Sequence, residues 1–248
     1  MSKLKRFLVG SCIVLVIASL VFLVARDGGR NNRELARRIA ELSPRGGPPE
    51  GIDGLRKAIA LYEDQIEKNV REGAQTGVYW KILAIRLADR DMHYDALAAL
   101  EKAIRFNAQD PVLYNLTGVS AGVVAKSIVG FSANAEKERE QYFKLAESSY
   151  LRAIELDSTY TKPMYGLGVL YVFELGRPGE AIPYLEQNLR LYSSDIPAMF
   201  VLARAYAMTG SFQQAIDLYD RIISRTRDQK TKEEALRNIE IIQRAIYG

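Results

Sequence analysis

Residues able to do chemistry are scarce in this sequence, and their types limit what it could catalyse. The chain has 248 residues with one cysteine, Cys12, and one histidine, His93. A Cys–His nucleophile pair, an H-E-x-x-H motif and a zinc tetrad each need more of these side chains. The sequence also has no P-loop and no G-x-S-x-G motif. We therefore predict that the protein is not an enzyme and has no catalytic residue, metal site or cofactor, and that His93 is a surface residue of the turn at 91–94.

The charge distribution argues against nucleic-acid binding. The formal net charge is +4, from 34 basic and 30 acidic residues. Residues 1–30 carry five of the basic residues and one of the acidic ones, which accounts for the whole excess. The remaining chain is balanced, and binding to phosphates requires clustered cations. We expect no nucleic-acid partner.

An uncharged apolar segment of 19 residues lies near the amino terminus, at 7–25. As a helix it would span about 29 Å, which matches the hydrocarbon thickness of a bilayer. The segment is longer than the apolar region of a typical signal peptide, which has roughly 7 to 15 residues. We predict an uncleaved transmembrane anchor, and a cleaved signal peptide is the alternative.

The orientation of this anchor depends on its flanks. Cations occur on both sides of 7–25, so the positive-inside rule alone does not decide. The tail at 1–6 is short and basic, and such a tail usually stays in the cytoplasm. We predict a single-pass protein of the inner, cytoplasmic membrane with its body on the extracytoplasmic side.

The segments that flank the central body are predicted from composition and periodicity. Residues 26–51 contain a short charged helical stretch followed by a Pro/Gly-rich linker. Residues 52–76 are predicted to form a leading helix, or a degenerate repeat. At the other end, 230–248 is amphipathic and is predicted to form a capping helix that covers the last apolar face.

Between these segments a register of large and small apolar residues recurs four times. Its members are Trp80-x2-Leu83-Ala84-x2-Leu87, Tyr114-x2-Thr117-Gly118-x2-Ala121, Met164-x2-Leu167-Gly168-x2-Tyr171 and Met199-x2-Leu202-Ala203-x2-Tyr206. The second helix of each unit begins its own pattern with a small residue: Ala96, Ala146, Ala181 and Ala215. A generic amphipathic bundle would not repeat this register. The pattern resembles the 34-residue tetratricopeptide repeat, in which the small residue at position eight lets neighbouring helices approach closely.

The resemblance covers 77–229, in units 77–110, 111–160, 161–195 and 196–229. It implies an all-α fold, a right-handed α-solenoid of antiparallel helix pairs. We expect about four repeats plus capping helices, behind the N-terminal transmembrane helix.

In this family the first helix of each repeat lines a groove that holds a peptide or a partner helix. The resemblance places nine groove residues here: Lys81, Ile85, Asn115, Val119, Lys162, Tyr165, Val169, Phe200 and Arg204. Most of the lining is apolar, which favours an apolar peptide or a partner helix as the ligand. It disfavours the chaperone-tail clamp, in which members of this family hold the carboxyl terminus of a partner. In that clamp an asparagine stands where this chain has Ile85. Alternatively, these residues pack against one another or against the leading helix.

The second unit has 50 residues where a regular repeat has 34. We predict that its two helices are each extended by about eight residues and form a longer hairpin. Its tip residues are Ile128, Val129, Phe131, Tyr142 and Phe143. Two interpretations stay open: these side chains bury one another within the hairpin, or they contact a partner or a second copy in a homo-oligomer.

The resemblance, together with the anchor, predicts a membrane-tethered scaffold or adaptor of a bacterial envelope, with a role in envelope assembly or protein export. The partner is a protein or peptide. The alternative is a chaperone-like holder of unfolded or translocated polypeptides.

Overall fold

The computed structural model describes residues 52–130 and 132–247, together with Leu35, Arg37, Arg38 and Glu41. Its longer elements are helices: α1 Ile52–Ala88, α2 His93–Phe106, α3 Pro111–Ser127, α4 Ala133–Leu156, α5 Thr161–Val169, α6 Pro178–Leu191, α7 Ile196–Met208, α8 Phe212–Arg225 and α9 Gln229–Tyr247. No strand occurs in these ranges. The chain divides into two units, 1–73 and 74–248, with the boundary inside α1.

The predicted membrane anchor at 7–25 lies outside the described residues, as does most of the predicted charged helix and linker at 26–51. Among the helices that are described, none is both long enough and apolar enough to cross a bilayer.

The predicted leading helix and the first helix of the first repeat are one continuous element. Helix α1 has 37 residues and runs without a break through Gly73 and Gly77. No proline interrupts this stretch, and a glycine costs a helix interior only about 1 kcal/mol. The leading helix predicted at 52–76 and the first helix of the first repeat are therefore parts of one helix.

From α3 onward the helices form successive pairs. Helices α3 and α4, α5 and α6, and α7 and α8 pack as neighbours, and α9 packs on α8. Acceptor side chains cap three of these helices: Asp110, Ser132 and Asp195 accept hydrogen bonds from backbone N–H groups of α3, α4 and α7. This is the all-α, solenoid-like architecture that the repeat pattern predicts.

The small residues at repeat position eight lie where helices approach most closely. A Cβ built on Gly118 would lie 2.6 Å from Cε1 of Tyr150, and one on Gly168 would lie 2.6 Å from Cδ2 of Leu185. Only glycine fits at these separations without displacing the neighbouring side chain. The large and small register therefore has the physical cause inferred from the sequence.

The hydrophobic core runs from α3 to the C-terminal helix. It includes alanines that are fully buried, among them Ala146, Ala181 and Ala215. Helix α9 contributes Ala235, Ile239 and Ile242, which are the buried residues of its apolar face. A smaller second cluster joins α1, α2 and α3 around Ala84, Leu100 and Leu113.

The third repeat has one residue more than the regular length, and the chain accommodates it within a helix. Helix α5 continues into a π-helical turn, Leu170–Glu174, in which Leu175 N donates to Leu170 O at 3.0 Å. A π turn is a common way to absorb one extra residue in a helix. The extra residue is therefore taken up at the end of the first helix of this repeat, before the turn at Gly176.

Candidate peptide-binding cleft

The structure brings five of the nine predicted groove residues into one cleft. They are Asn115, Val119, Lys162, Tyr165 and Val169. The cleft has a volume of about 480 Å³ and lies among α3, α5 and the start of α7. Residues from three consecutive repeats therefore contribute to a single site.

The apolar surface of the cleft comes from two valines and a tyrosine ring. Val119 is exposed, Val169 is half-buried, and Tyr150 lies beneath them as a buried side chain of α4. A Cβ on Gly166 would lie 2.7 Å from Cζ of Tyr150, so the absence of a side chain there lets the ring sit directly under α5. This surface can take up aliphatic side chains of a ligand.

Two polar groups of the cleft have no partner among the described residues. Asn115 is 7% exposed, yet its side-chain amide makes no hydrogen bond to any described residue. Lys162 is exposed and forms no ion pair with any of them. Among the described residues the fully buried side-chain polar atom without a partner is Asn188 Oδ1, so the polar atoms of the Asn115 amide are open to the cleft and can bond a ligand that enters it.

Tyr165 adds a neutral hydrogen-bond donor. Burial, and to a lesser extent the Asp195 carboxylate, raises the pKa of the Tyr165 phenol above its ordinary value. The hydroxyl therefore keeps its proton at physiological pH. Asp195 itself is occupied as a helix cap, because its Oδ1 accepts from Ala198 N at 3.1 Å.

Lys81 and Ile85 of the predicted groove are not part of this cleft. The Lys81 ammonium is 2.7 Å from Oδ2 of Asp110, and both side chains are largely buried. Ile85 is half-buried on α1. Lys81 therefore stabilises the start of α3 and is not a free cation for a ligand.

Asp110 makes two contacts whose contributions can be separated. Its Oδ1 accepts from Val112 N at 2.9 Å, and its Oδ2 pairs with Lys81. We expect Asp110→Ala to lower the free energy of unfolding by about 1.5 kcal/mol, of which the lost helix cap is about 1 kcal/mol. Asp110→Asn keeps a capping oxygen and should cost only about 0.5 kcal/mol. Urea unfolding followed by circular dichroism tests this, and equal losses in the two variants would contradict the capping role.

The last two predicted groove residues are engaged within the fold. The Phe200 ring packs edge-on against Tyr219 of α8, with 5.8 Å between ring centroids. The Arg204 guanidinium lies 5.4 Å from the centre of the Phe173 ring. Neither residue lines the cleft.

The hairpin of the second repeat differs from the prediction. Helix α3 ends at Ser127 after 17 residues, whereas α4 has 24 and begins at Ala133. The other second helices of the repeats, α2, α6 and α8, have 14 residues each. The extension therefore falls mainly on α4, and the prediction of equal lengthening is corrected.

The predicted tip residues have different environments. Phe143 is 9% exposed and belongs to the main core, so it is not a contact residue. Tyr142 packs edge-on against Tyr94 of α2, with centroids 5.7 Å apart. Ile128 is half-buried and Val129 is 92% exposed, and Phe131 lies outside the described residues. A contact through Ile128, Val129 or Tyr142 stays a prediction.

Five cleft residues are absent from the predicted groove set: Tyr150, Thr161, Gly166, Asp195 and Pro197. Tyr150 lies in the second helix of its repeat, and the repeat pattern assigns residues of the second helix to packing alone. Asp195 carries a signal in the sequence, because an Asp two residues before Pro197 is typical of a helix start. Gly166 precedes Gly168 in a pair that matches no nucleotide-binding motif, and its structural use is the contact with Tyr150.

A second cleft, of about 630 Å³, lies between the second helices of the first two repeats, α2 and α4. Its walls include Leu97, Tyr142 and Leu145. Its charged residues, Glu101 and Arg152, already pair with Arg105 and Glu155. None of its lining residues has an amide side chain of the kind that Asn115 supplies. The cleft among α3, α5 and α7 is therefore the better candidate site.

The prediction that His93 is a surface residue of the turn at 91–94 is wrong. It begins α2, its side chain is 11% exposed, and Nδ1 lies 3.4 Å from Oγ of Ser120. Within the described ranges no group of three or more His, Cys, Asp or Glu side chains is arranged to hold a metal ion.

Comparison with known proteins finds the tetratricopeptide repeat proteins as the class that this chain resembles. Residues 172–234 match the model of the tetratricopeptide repeat. This match spans the π turn, α6, α7, α8 and the start of α9. Proteins of this class generally bind proteins or peptides and are typically non-catalytic scaffolds.

Individual relatives are distant. A TPR repeat-containing protein of Borreliella burgdorferi is 21% identical over 220 residues, which cover 88% of this chain and 94% of that protein. The structure of YrrB, described as a TPR protein with an unusual peptide-binding site, aligns with a TM-score of 0.54 and 20% identity over 71% of this chain and 80% of its own. A thermophilic TPR protein of Thermus thermophilus aligns with a TM-score of 0.54 and 16% identity, over 82% of this chain and 96% of its own. These structural likenesses establish the fold.

Proposed function

We propose that this chain is a scaffold that holds a segment of a partner polypeptide in the cleft among α3, α5 and α7. The observation that carries the proposal is the Asn115 amide, which makes no hydrogen bond to a described residue and is open to that cleft. An extended peptide offers backbone N–H and C=O groups that pair with both ends of an amide side chain.

The chemistry of the cleft defines the ligand. Aliphatic side chains fit against Val119 and Val169, and an anionic group of the ligand would lie near Lys162. A volume of about 480 Å³ accommodates a few side chains and not a folded domain. We propose an extended segment, or one face of a helix, that is apolar with an acidic residue at one end.

We further propose that the scaffold is tethered to a membrane through 7–25, with its body on the extracytoplasmic side, and that it acts in envelope assembly or protein export. The support is the uncharged apolar run and the short basic tail before it. The same apolar cleft would also serve a chaperone-like holder of translocated polypeptides.

Photo-crosslinking in cells tests the function. Tyr165 is replaced by p-benzoylphenylalanine, an aromatic photoreactive residue, and adducts are identified by mass spectrometry. One dominant adduct is expected for a scaffold with a dedicated partner, whereas a broad smear would support the chaperone-like holder. The same probe at Gln213, an exposed residue of α8 outside the cleft, is the control. Equal labelling from the two positions, or none from Tyr165, would overturn the proposal.

A further inference from the structure

Helix α1 carries a stripe of large apolar side chains that nothing in the described structure covers. The stripe consists of Ile52, Leu55, Ile59, Tyr62 and Ile66, which are between 41% and 71% exposed. Successive members are three or four residues apart in strict alternation. This is the heptad spacing that keeps one face of a helix turned toward a partner helix.

We propose that this stripe pairs with the same stripe of a second copy of the chain, as a short antiparallel coiled coil over 52–69. The pairing is independent of the peptide cleft. In this alignment Leu55 faces Ile66 of the second copy, and Ile59 faces Tyr62 of the second copy. Core layers of this kind bury apolar surface that is in water in the single chain.

The charges beside the stripe select this alignment. Arg56 and Glu63 occupy the same flanking position of successive heptads. In the antiparallel arrangement this flanking position of one helix faces the same heptad position of the other helix. Arg56 of each copy therefore meets Glu63 of the other copy, which gives two ion pairs per dimer. Among the described residues of the single chain, the ion pair of Arg56 is a 4.0 Å contact with the exposed Asp53 carboxylate.

Other alignments lose these ion pairs. A slip of one heptad in one direction would place Arg56 against Arg56 of the second copy, and a slip in the other direction would place Glu63 against Glu63. Like charges at these positions are destabilising. A parallel pairing would place Arg56 and Glu63 opposite Gly51 and Ala58, with no charge to meet. A partner other than a second copy would have no reason to satisfy this reciprocal pattern.

Disulfide crosslinking of the full chain tests the pairing and its direction. In a Cys12→Ser background, Leu55→Cys and Ile66→Cys are made in two chains that carry different tags, and cells expressing both are treated with an oxidant. The antiparallel dimer predicts a disulfide between the two different chains. Leu55 and Ile66 are about 16 Å apart along the helix. In the antiparallel pair each residue is therefore about 16 Å from the same residue of the second copy, so a link between two cysteines at position 55, or between two at position 66, is not expected.

Each result of this experiment decides the proposal. Asp64→Cys, on the outer face of the same helix, is the control and should not crosslink. Disulfides of Leu55→Cys with Leu55→Cys, and of Ile66→Cys with Ile66→Cys, would show a parallel pairing and overturn the antiparallel one. No link between copies, or links only to another protein, would overturn the self-association. Unchanged circular dichroism confirms that the variants fold.

Charge reversal supplies a second, independent readout. Arg56→Glu or Glu63→Arg alone creates two repulsive pairs in place of two attractive ones. We expect each to reduce the disulfide-linked fraction about tenfold at fixed expression. The double variant Arg56→Glu with Glu63→Arg should restore it. Failure of the double variant to restore crosslinking would contradict the register.

Discussion

Replacement of Gly118 by alanine is expected to lower the free energy of unfolding by about 2 kcal/mol. The new methyl group would lie 2.6 to 2.9 Å from three ring atoms of Tyr150, a side chain that is 6% exposed. Overpacking of a core of this kind costs about 3 kcal/mol at the upper end of its usual range. The better helix propensity of alanine returns about 1 kcal/mol at most, so the steric cost prevails.

Gly122 provides the matched control one turn further along α3. A Cβ at Gly122 would meet no atom within 4 Å, so Gly122→Ala gains helix propensity without a clash. We expect it to raise the free energy of unfolding by about 0.5 to 1 kcal/mol. Urea unfolding of the two variants should differ by about 3 kcal/mol in total. Equal stabilities would show that α3 and α4 do not pack through Gly118.

Replacement of Val119 by glutamate is expected to reduce the adduct captured by a photoreactive residue at Tyr165 at least tenfold. Val119 lines the cleft and is 42% exposed, so a charged side chain there can be accommodated without unfolding α3. A carboxylate in the apolar part of the cleft would have to be desolvated by the ligand, and it would repel an acidic residue of the ligand from Lys162. A tenfold loss of affinity corresponds to about 1.4 kcal/mol.

Val123→Glu is the control for this variant. Val123 is on the same helix, has a similar exposure of 38% and does not line the cleft. Capture at Tyr165 should be unchanged by it, and thermal melts should be alike for the two variants. An equal loss of adduct from both would mean that charge on α3, and not occupation of the cleft, controls binding.

The sequence was informative where its signals act over short distances. Gly118 and Gly168 mark the close approach of neighbouring helices, and their partners Tyr150 and Leu185 lie in the same helix pair. The resemblance to the tetratricopeptide repeat, in which first-helix residues line one groove, assigned Asn115, Val119 and Tyr165 to one surface. These residues do line a common cleft.

The sequence was less informative about which side chains form ion pairs or pack against one another. Lys81 occupies a groove position by its repeat number, but Asp110, 29 residues later, reaches it at 2.7 Å. Phe143 is apolar, as an exposed contact residue would also be, so its residue type alone did not show that it is buried. Its burial in the main core depends on packing between helices, which periodicity does not specify.

The amino-acid sequence by itself determined the helical class, the repeat register and the surface on which a ligand would be sought, because each depends on periodic patterns within about one repeat. Only the tertiary structure decided that Asn115 lines the cleft without a hydrogen-bond partner among the described residues, while Lys81 is paired. The physical reason is that burial and hydrogen bonding at the cleft are set by helices from three repeats together, and no single repeat contains that information.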